Sequence, residues 1–283
     1  MTALPDADAP AYQDWSYLDQ DMGDQGVIHD CAAGQVAIYS ARAPYKTDAP
    51  NEDAAAAFCF PDGSGLLVVA DGMGGMPQGQ QASGLLIDTI RETLSRRHGA
   101  AGGTGLRERL IDALDNANAR ISELGAGTTV AAVEIGNGAI RCCHVGDSMI
   151  LVTGNRGRIK LQTVSHSPVG YAVEAGILDE NEAMHHDERN LVSNFVGLPT
   201  MRIELGHTLR LDPYDTVLLA SDGLFDNLYI EEIIDHIRSG PLDRAVRELA
   251  QACRERMAHP AVGAPSKPDD LTFILYRRHR RGG

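Results

Sequence analysis

Basic side chains are in short supply: 25 Lys and Arg against 39 Asp and Glu leave a net charge of -14. That balance argues against nucleic acid and anionic membrane as partners, since both recruit clustered Lys and Arg. Long apolar runs are missing as well; the longest are strand-sized, far short of the roughly 20 residues of a membrane span. The first residues are acidic and proline-dotted, with neither a basic start nor an apolar signal core, so a cytoplasmic location is expected. The five cysteines (Cys31, Cys59, Cys142, Cys143 and Cys253) form no CxxC pair. Their odd count and scatter point to reduced, mostly buried thiols. There is no GxxxxGKS/T loop, no GxSxG elbow and no HExxH, which leaves nucleotide-loop chemistry, serine hydrolysis and zinc proteolysis without support. No internal repeat stands out.

What is present is a chain of 283 residues, 43% hydrophobic, enough for a real core in one large domain or two small ones. Its organising stretch is Leu66-Leu67-Val68-Val69-Ala70-Asp71-Gly72-Met73-Gly74-Gly75. Four aliphatic residues predict a fully buried strand. It ends in a lone carboxylate and a glycine-rich turn, where glycine lets a ligand approach the backbone closely, and Pro77 suits the first turn of a helix. The device returns at Val217-Leu218-Leu219-Ala220-Ser221-Asp222-Gly223. Either Asp-Gly alone is weak evidence, because Asp-Gly is also a common turn; the pair predicts two strand-end carboxylates, Asp71 and Asp222, converging on one cation.

Residues 1–33 have weak periodicity and predict an N-terminal extension that packs, if at all, through Trp15 and Tyr17. A domain is expected over 34–280. Strands are predicted at 35–40, 54–60 and 66–71, then two helices with apolar faces built on Leu86 and Ile90, and on Leu110, Leu114 and Ile121. Strands follow over 128–135 and 139–145, joined by an Asn137-Gly138 hairpin turn, and over 149–153. Between residues 166 and 199 the strand pattern lapses into a small flap, with a capping box at Asp179-Glu180-Asn181-Glu182. Strands at 201–207, 216–221 and 271–276 enclose helices over 229–237 and from Pro241, and Arg277–Arg281 forms a solvated basic tail. Many antiparallel strands with two helical pairs predict an α+β fold, a β-sandwich covered by helix layers.

The acidic motifs carry the chemistry. Glu52-Asp53, Asp71-Gly72, Asp147, Asp222-Gly223 and Asp269-Asp270 all fall at strand ends or tight turns. So many carboxylates gathered together could not all stay ionised without a cation. An all-oxygen set with no nearby His or Cys ligand favours Mg²⁺ or Mn²⁺ over zinc. Two such ions a few Å apart suit hydrolysis of a phosphate ester.

With these motifs in place the sequence resembles the metal-dependent type 2C serine/threonine protein phosphatases, in their bacterial form. The resemblance runs in order from about Gly34 to Arg278. It rests on Asn51-Glu52-Asp53, Val69–Gly75, Gly127-Thr128-Thr129, Val145-Gly146-Asp147-Ser148, Leu219–Asp226 and Asp269-Asp270-Leu271-Thr272. It implies a four-layer α-β-β-α architecture, a phosphoprotein substrate that is the target of a cognate serine/threonine kinase, and a monomeric enzyme. It also implies that Asp71 bridges two metals, with the Gly72 carbonyl on the first. Glu52, Asp222 and Asp269 would serve the second, and Asp53 the metal-bound water. Asp147 with Asp222 would match a third, weaker site.

The departures concern substrate handling. Met73 stands where many relatives have a His proposed as general acid, Met149 where Arg is usual, and Asp270 where Asn is common. The position of a phosphate-binding arginine is Asp48, which leaves Lys46 as the expected clamp and Arg42 as its competitor. The alternative reading is a weakly active or inactive phosphatase-fold protein whose task is binding. His144 and His166 are expected in structural roles, His185-His186 at an exposed helix end, and Asp226 and Asp235 as helix or surface charges.

Overall fold

Strands that are apolar at every position, rather than every second one, need two buried faces. The computed structural model, which describes residues 12–73, 78–96 and 105–279, supplies both. In chain order come β1 (Gln13–Leu18), β2 (Val27–Cys31), β3 (Gly34–Ala41), β4 (Asp53–Cys59) and β5 (Gly65–Asp71). Helices α1 (Gly79–Ser95) and α2 (Leu106–Leu124) follow, then β6 (Val130–Gly136), β7 (Ala139–Val145), β8 (Met149–Thr153) and β9 (Ile159–Gln162). Two short helices, α3 (Pro168–Glu174) and α4 (Glu180–Met184), precede β10 (Glu204–Arg210) and β11 (Thr216–Ala220). After them come α5 (Asp222–Phe225), α6 (Ile230–Ile237), α7 (Leu242–Ala258) and β12 (Leu271–Arg278).

The strands form two six-stranded antiparallel sheets, ordered β1-β4-β5-β6-β7-β10 and β2-β3-β12-β11-β8-β9. Side-chain alternation sorts each strand between two cores. In β5, Leu66, Val68 and Ala70 meet α1 and α2, while Leu67 and Val69 fill the space between the sheets. In β11, Val217 and Leu219 face the other sheet, and Leu218 and Ala220 meet the α6–α7 layer. In β12, Ile274 and Tyr276 face inward, Phe273 and Leu275 outward. Three apolar layers between four structural layers give the α-β-β-α sandwich expected from the sequence. The Asn137-Gly138 turn joins β6 to β7 with both residues at positive φ, as a tight hairpin requires.

Three expectations differ from the structure. The described part of residues 1–33 is built into the sandwich: β1 pairs with β4 and β2 with β3, each at a sheet edge. Trp15 stacks on His29 with ring centroids 4.3 Å apart, and Tyr17 Oη meets His29 Nε2 at 2.6 Å. Half-exposed edge strands carry polar residues on their open side, which hides their period. Second, Cys31 and Cys59 form a disulfide that joins the end of β2 to the end of β4 across the sheets; only Cys142, Cys143 and Cys253 are free, all buried. Third, β10 starts at Glu204 rather than Met201, because Met201 and Ile203 pack against the helix-side core instead of entering the ladder. Gly74, Gly75, Pro77, residues 97–104 of the glycine-rich linker, and Arg280 and Arg281 of the basic tail lie outside the described residues.

Candidate metal centre

The layer between the sheets ends in polar residues. Asp53 opens β4 and Asp71 closes β5; they are direct register partners. Each continues the inward-facing set, with Ala55 and Ala57 behind one and Val69 and Leu67 behind the other. The opposite sheet answers with Ser221 after β11 and Asp222 at the start of α5. Ser221 Oγ donates to Asp53 Oδ2 at 2.8 Å, so the two sheets are tied at this end. Asp147 sits in the turn that carries the chain from β7 of one sheet to β8 of the other. Asp269 and Asp270 lead into β12, and Glu52 into β4.

The two Asp-Gly glycines serve the fold's own backbone. A Cβ on Gly72 would lie 2.2 Å from Gly79 O, and one on Gly223 would lie 1.9 Å from Asp270 O. Close approach is therefore required, as the sequence predicted, but the approaching atoms belong to the protein rather than to a ligand. Gly72 N also donates to Glu52 O at 3.0 Å, which holds the two motifs side by side.

Asp270, in the position where Asn was the commoner expectation, works as a hub. Its Oδ1 accepts from Ala43 N at 2.8 Å, and its Oδ2 accepts from Glu52 N and Lys46 Nζ, both at 2.7 Å. Lys46 Nζ donates further to Glu52 Oε2 at 2.8 Å. Burial works against the Lys46 charge, but the hydrogen bonds to Asp270 and Glu52 and their charges outweigh it and raise its pKa. The competing cation faces elsewhere: Arg42 pairs with Asp21 at 3.1 Å on the surface.

Two members of the cluster were not anticipated. Lys267 reaches into it, with Nζ at 2.5 Å from Asp222, 3.0 Å from Asp226 and 3.2 Å from Asp269. Asp226, expected to be a helix or surface charge, has a side chain only 19% exposed and turns toward Lys267. A count of acidic motifs overlooks both; the signal was a lysine two residues before Asp269 and a carboxylate one helical turn after Asp222.

Electrostatics test whether a divalent cation fits. Burial, then the charges of Asp53, Asp222, Asp147 and Asp269, hold the Asp71 carboxyl well above the usual range. Asp53 is raised likewise, by burial and then by Asp270. Burial and the neighbouring Asp222 push Asp147 up to about 7, and Asp226 and Asp269 up to about 6. Burying an apolar side chain in this sandwich contributes about 1.5–3 kcal/mol; an uncompensated buried carboxylate costs more than that. A hard cation with oxygen ligands removes the conflict, and the donor set fits Mg²⁺ or Mn²⁺.

Among the described residues, the group of three ligand-type side chains whose atoms all lie within 4.8 Å of one another is His144, His166 and Glu204, away from the strand-end carboxylates. Its hydrogen bonds oppose ligation. His166 Nδ1 accepts from Gly146 N at 3.0 Å and faces Asn194 Nδ2 at 2.9 Å, which leaves the proton on Nε2, 3.1 Å from Glu204. The two rings stack 4.5 Å apart, and His144 Nε2 meets Val164 O at 3.0 Å. These histidines pin the start of the 166–199 segment, the structural role expected for them. Between that segment and α5–α6 lies a cleft of about 440 Å³ lined by Met149, Val173, Arg189, Phe225 and Asp226, so it opens beside the carboxylates.

A two-sheet α-β-β-α sandwich with strand-end carboxylates gathered at one rim defines a class. The chain belongs to the protein phosphatase 2C family, whose pattern matches residues 42–262. It is similar to the serine/threonine phosphatase stp of Listeria welshimeri, 28% identical over 81% of this chain and 90% of that one. Protein phosphatase PhpP of Streptococcus pneumoniae is 29% identical over 75% of this chain and 85% of its own length. Among solved structures, the serine/threonine phosphatase of S. agalactiae superposes with a TM-score of 0.73 at 26% identity, covering 86% of this chain and 99% of that one.

Proposed function

We propose that this protein hydrolyses phosphoserine and phosphothreonine in proteins with the help of bound Mn²⁺ or Mg²⁺. The observation that carries the reading is the meeting of Asp53 and Asp71 from one sheet with Asp222 and Asp269 from the other, close enough that each charge bears on Asp71. Glu52, Asp53, Asp71, the Gly72 carbonyl, Asp147, Asp222 and Asp269 would hold the ions. When bound, a pair of divalent ions supplies a water ionised near neutral pH and polarises a phosphoryl oxygen.

The chain's own groups do the rest. Asp270 fixes the backbone of Glu52 and anchors Lys46. An ammonium has three protons; Lys46 gives one each to Glu52 and Asp270, and the remaining one is available to a phosphate oxygen. The cleft beside Asp226 offers room for residues flanking the phosphorylated one.

The substrate in this reading is the target of a cognate serine/threonine kinase, and the enzyme acts as a monomer in the cytoplasm. No described helix is long and apolar enough to cross a membrane. The Cys31–Cys59 bond weighs against the cytoplasm, where disulfides are rare. Counting thiols in freshly isolated protein after denaturation without reductant decides the point: a full set of five supports it, three opposes it. The activity itself is tested with a phosphothreonine peptide and p-nitrophenyl phosphate, with Mn²⁺ and then with chelator. Turnover of both that disappears in chelator supports the reading; equal turnover under the two conditions overturns it.

A further inference from the structure

Lys267 stands inside the carboxylate cluster, and its backbone is fixed there. Its N–H donates to Asn227 Oδ1 and its carbonyl accepts from Asn227 Nδ2, both at 2.8 Å. Asn227 is wholly buried and donates also to Gly223 O at 2.9 Å, in the same turn that carries Asp222 and Asp226. Pro268 restricts the preceding residue to extended backbone. A surface lysine sweeps many rotamers; this one is anchored at the rim with its ammonium within 3.2 Å of three carboxylates.

Two of those three, Asp222 and Asp269, are residues assigned above to a metal, and the role inferred for Lys267 rests on that assignment. An ammonium and a divalent ion repel each other and compete for the same oxygens. The ammonium donates to Asp222 Oδ2 and lies 3.0 Å from Asp226 Oδ2 and 3.2 Å from Asp269 Oδ2, so both carboxylates assigned to the metal have an oxygen paired with it.

We propose that Lys267 is a built-in competitor for the metal ion at Asp222 and Asp269. Without metal it neutralises the carboxylates and keeps the rim folded. For an ion to enter, the ammonium must swing out toward solvent. Apparent affinity falls by the fraction of molecules in which the site is open. If the open form is about a tenth of the population or less, binding weakens by about 10-fold or more. Loading of this position is thereby graded by the free Mn²⁺ or Mg²⁺ concentration, while an ion held chiefly by Asp71 is affected less.

The test is calorimetric titration of Mn²⁺ into the full chain and into Lys267→Met, Lys267→Gln and Lys267→Arg, with thermal unfolding measured in chelator and in Mn²⁺. Lys267→Met is expected to bind its second ion, the one assigned to Asp222 and Asp269, at least about 10-fold more tightly than wild type. It should melt lower than wild type in chelator and gain more from Mn²⁺. Lys267→Gln, whose amide still donates to two carboxylates, should shift the same way by less and keeps the test open if the Met variant folds poorly. Lys267→Arg retains the charge and should not gain affinity. Equal or weaker binding by both neutral variants, or a gain in the Arg variant, overturns the proposal while leaving wild-type metal binding intact. No heat and no melting shift with Mn²⁺ in any of the proteins, wild type included, overturns the metal assignment itself.

Discussion

Asp53 and Asp71 stand opposite each other in the β4–β5 ladder, on the face that looks between the sheets, and Ser221 of the other sheet donates to Asp53. Two carboxylates a strand spacing apart repel unless something positive sits between or beside them. Much of the behaviour expected of this protein stems from that placement.

Metal-free protein should lose stability as the pH rises. Burial and the Asp222 charge push Asp147 up to about 7, and Asp226 and Asp269 up to about 6, from an ordinary value of 3.8. Between about pH 4 and 7 the folded chain therefore holds more protons than the unfolded one, so the free energy of unfolding falls with increasing pH. Melting in chelator should be higher at pH 5 than at pH 7.5, and saturating Mn²⁺ should reverse the order. A flat chelator profile would mean that these carboxyls are not crowded.

The two candidate phosphate clamps separate cleanly. Lys46 lies within the cluster, on Glu52 and Asp270, while Arg42 pairs outward with Asp21. Lys46→Ala should raise KM for small aryl phosphates several-fold, by roughly 1 kcal/mol of binding, with a smaller change in kcat. Arg42→Ala should stay near wild type. The reverse pattern would transfer the role to Arg42.

Gly223→Ala places a methyl 1.9 Å from Asp270 O and must displace the Asp269-Asp270 turn. A loss of at least about 3 kcal/mol is expected, at the upper end of overpacking costs. Gly84, in α1, is the control: a Cβ there meets nothing within 4 Å, and Gly84→Ala should stabilise by about 0.5–1 kcal/mol. Denaturant unfolding of the two variants reads both signs.

The Cys31–Cys59 bond closes a loop with a sequence separation of 28 at the end of β4 remote from Asp53. Loop-closure entropy assigns it about 3–4 kcal/mol. Removing it with Cys31→Ser and Cys59→Ser should lower Tm by roughly 10 °C while leaving kcat unchanged. A fall in kcat at a temperature where the variant is folded would show coupling between the two ends of the sandwich.

The sequence announced the parts of this fold that are buried on both faces. Val68, Val69, Leu218 and Leu219 can only belong to covered strands, and an Asp placed directly after such a strand must lie at its rim. Asp71 and Asp222 were legible for that reason. Edge strands β1 and β2 were not, because their burial is partial and the partner of β1, β4, lies far along the chain. The same holds for Cys31 and Cys59, which meet only once β2 and β4 have taken places in different sheets. Lys267 is not marked by any acidic motif, although a cation two positions before Asp269 is as much a part of the charge balance as the carboxylates are.

The most direct test of the metal centre is Asp71→Asn, which keeps the shape of the side chain and removes its charge. Mn²⁺ binding by calorimetry and hydrolysis of a phosphothreonine peptide should be measured on the same preparations. The account predicts that wild type binds a tight pair of ions, and that the variant loses this pair together with at least about 10²-fold in kcat, as expected when a nucleophile-generating cation is lost. A variant that binds Mn²⁺ as wild type does and turns over the peptide at the wild-type rate would contradict it.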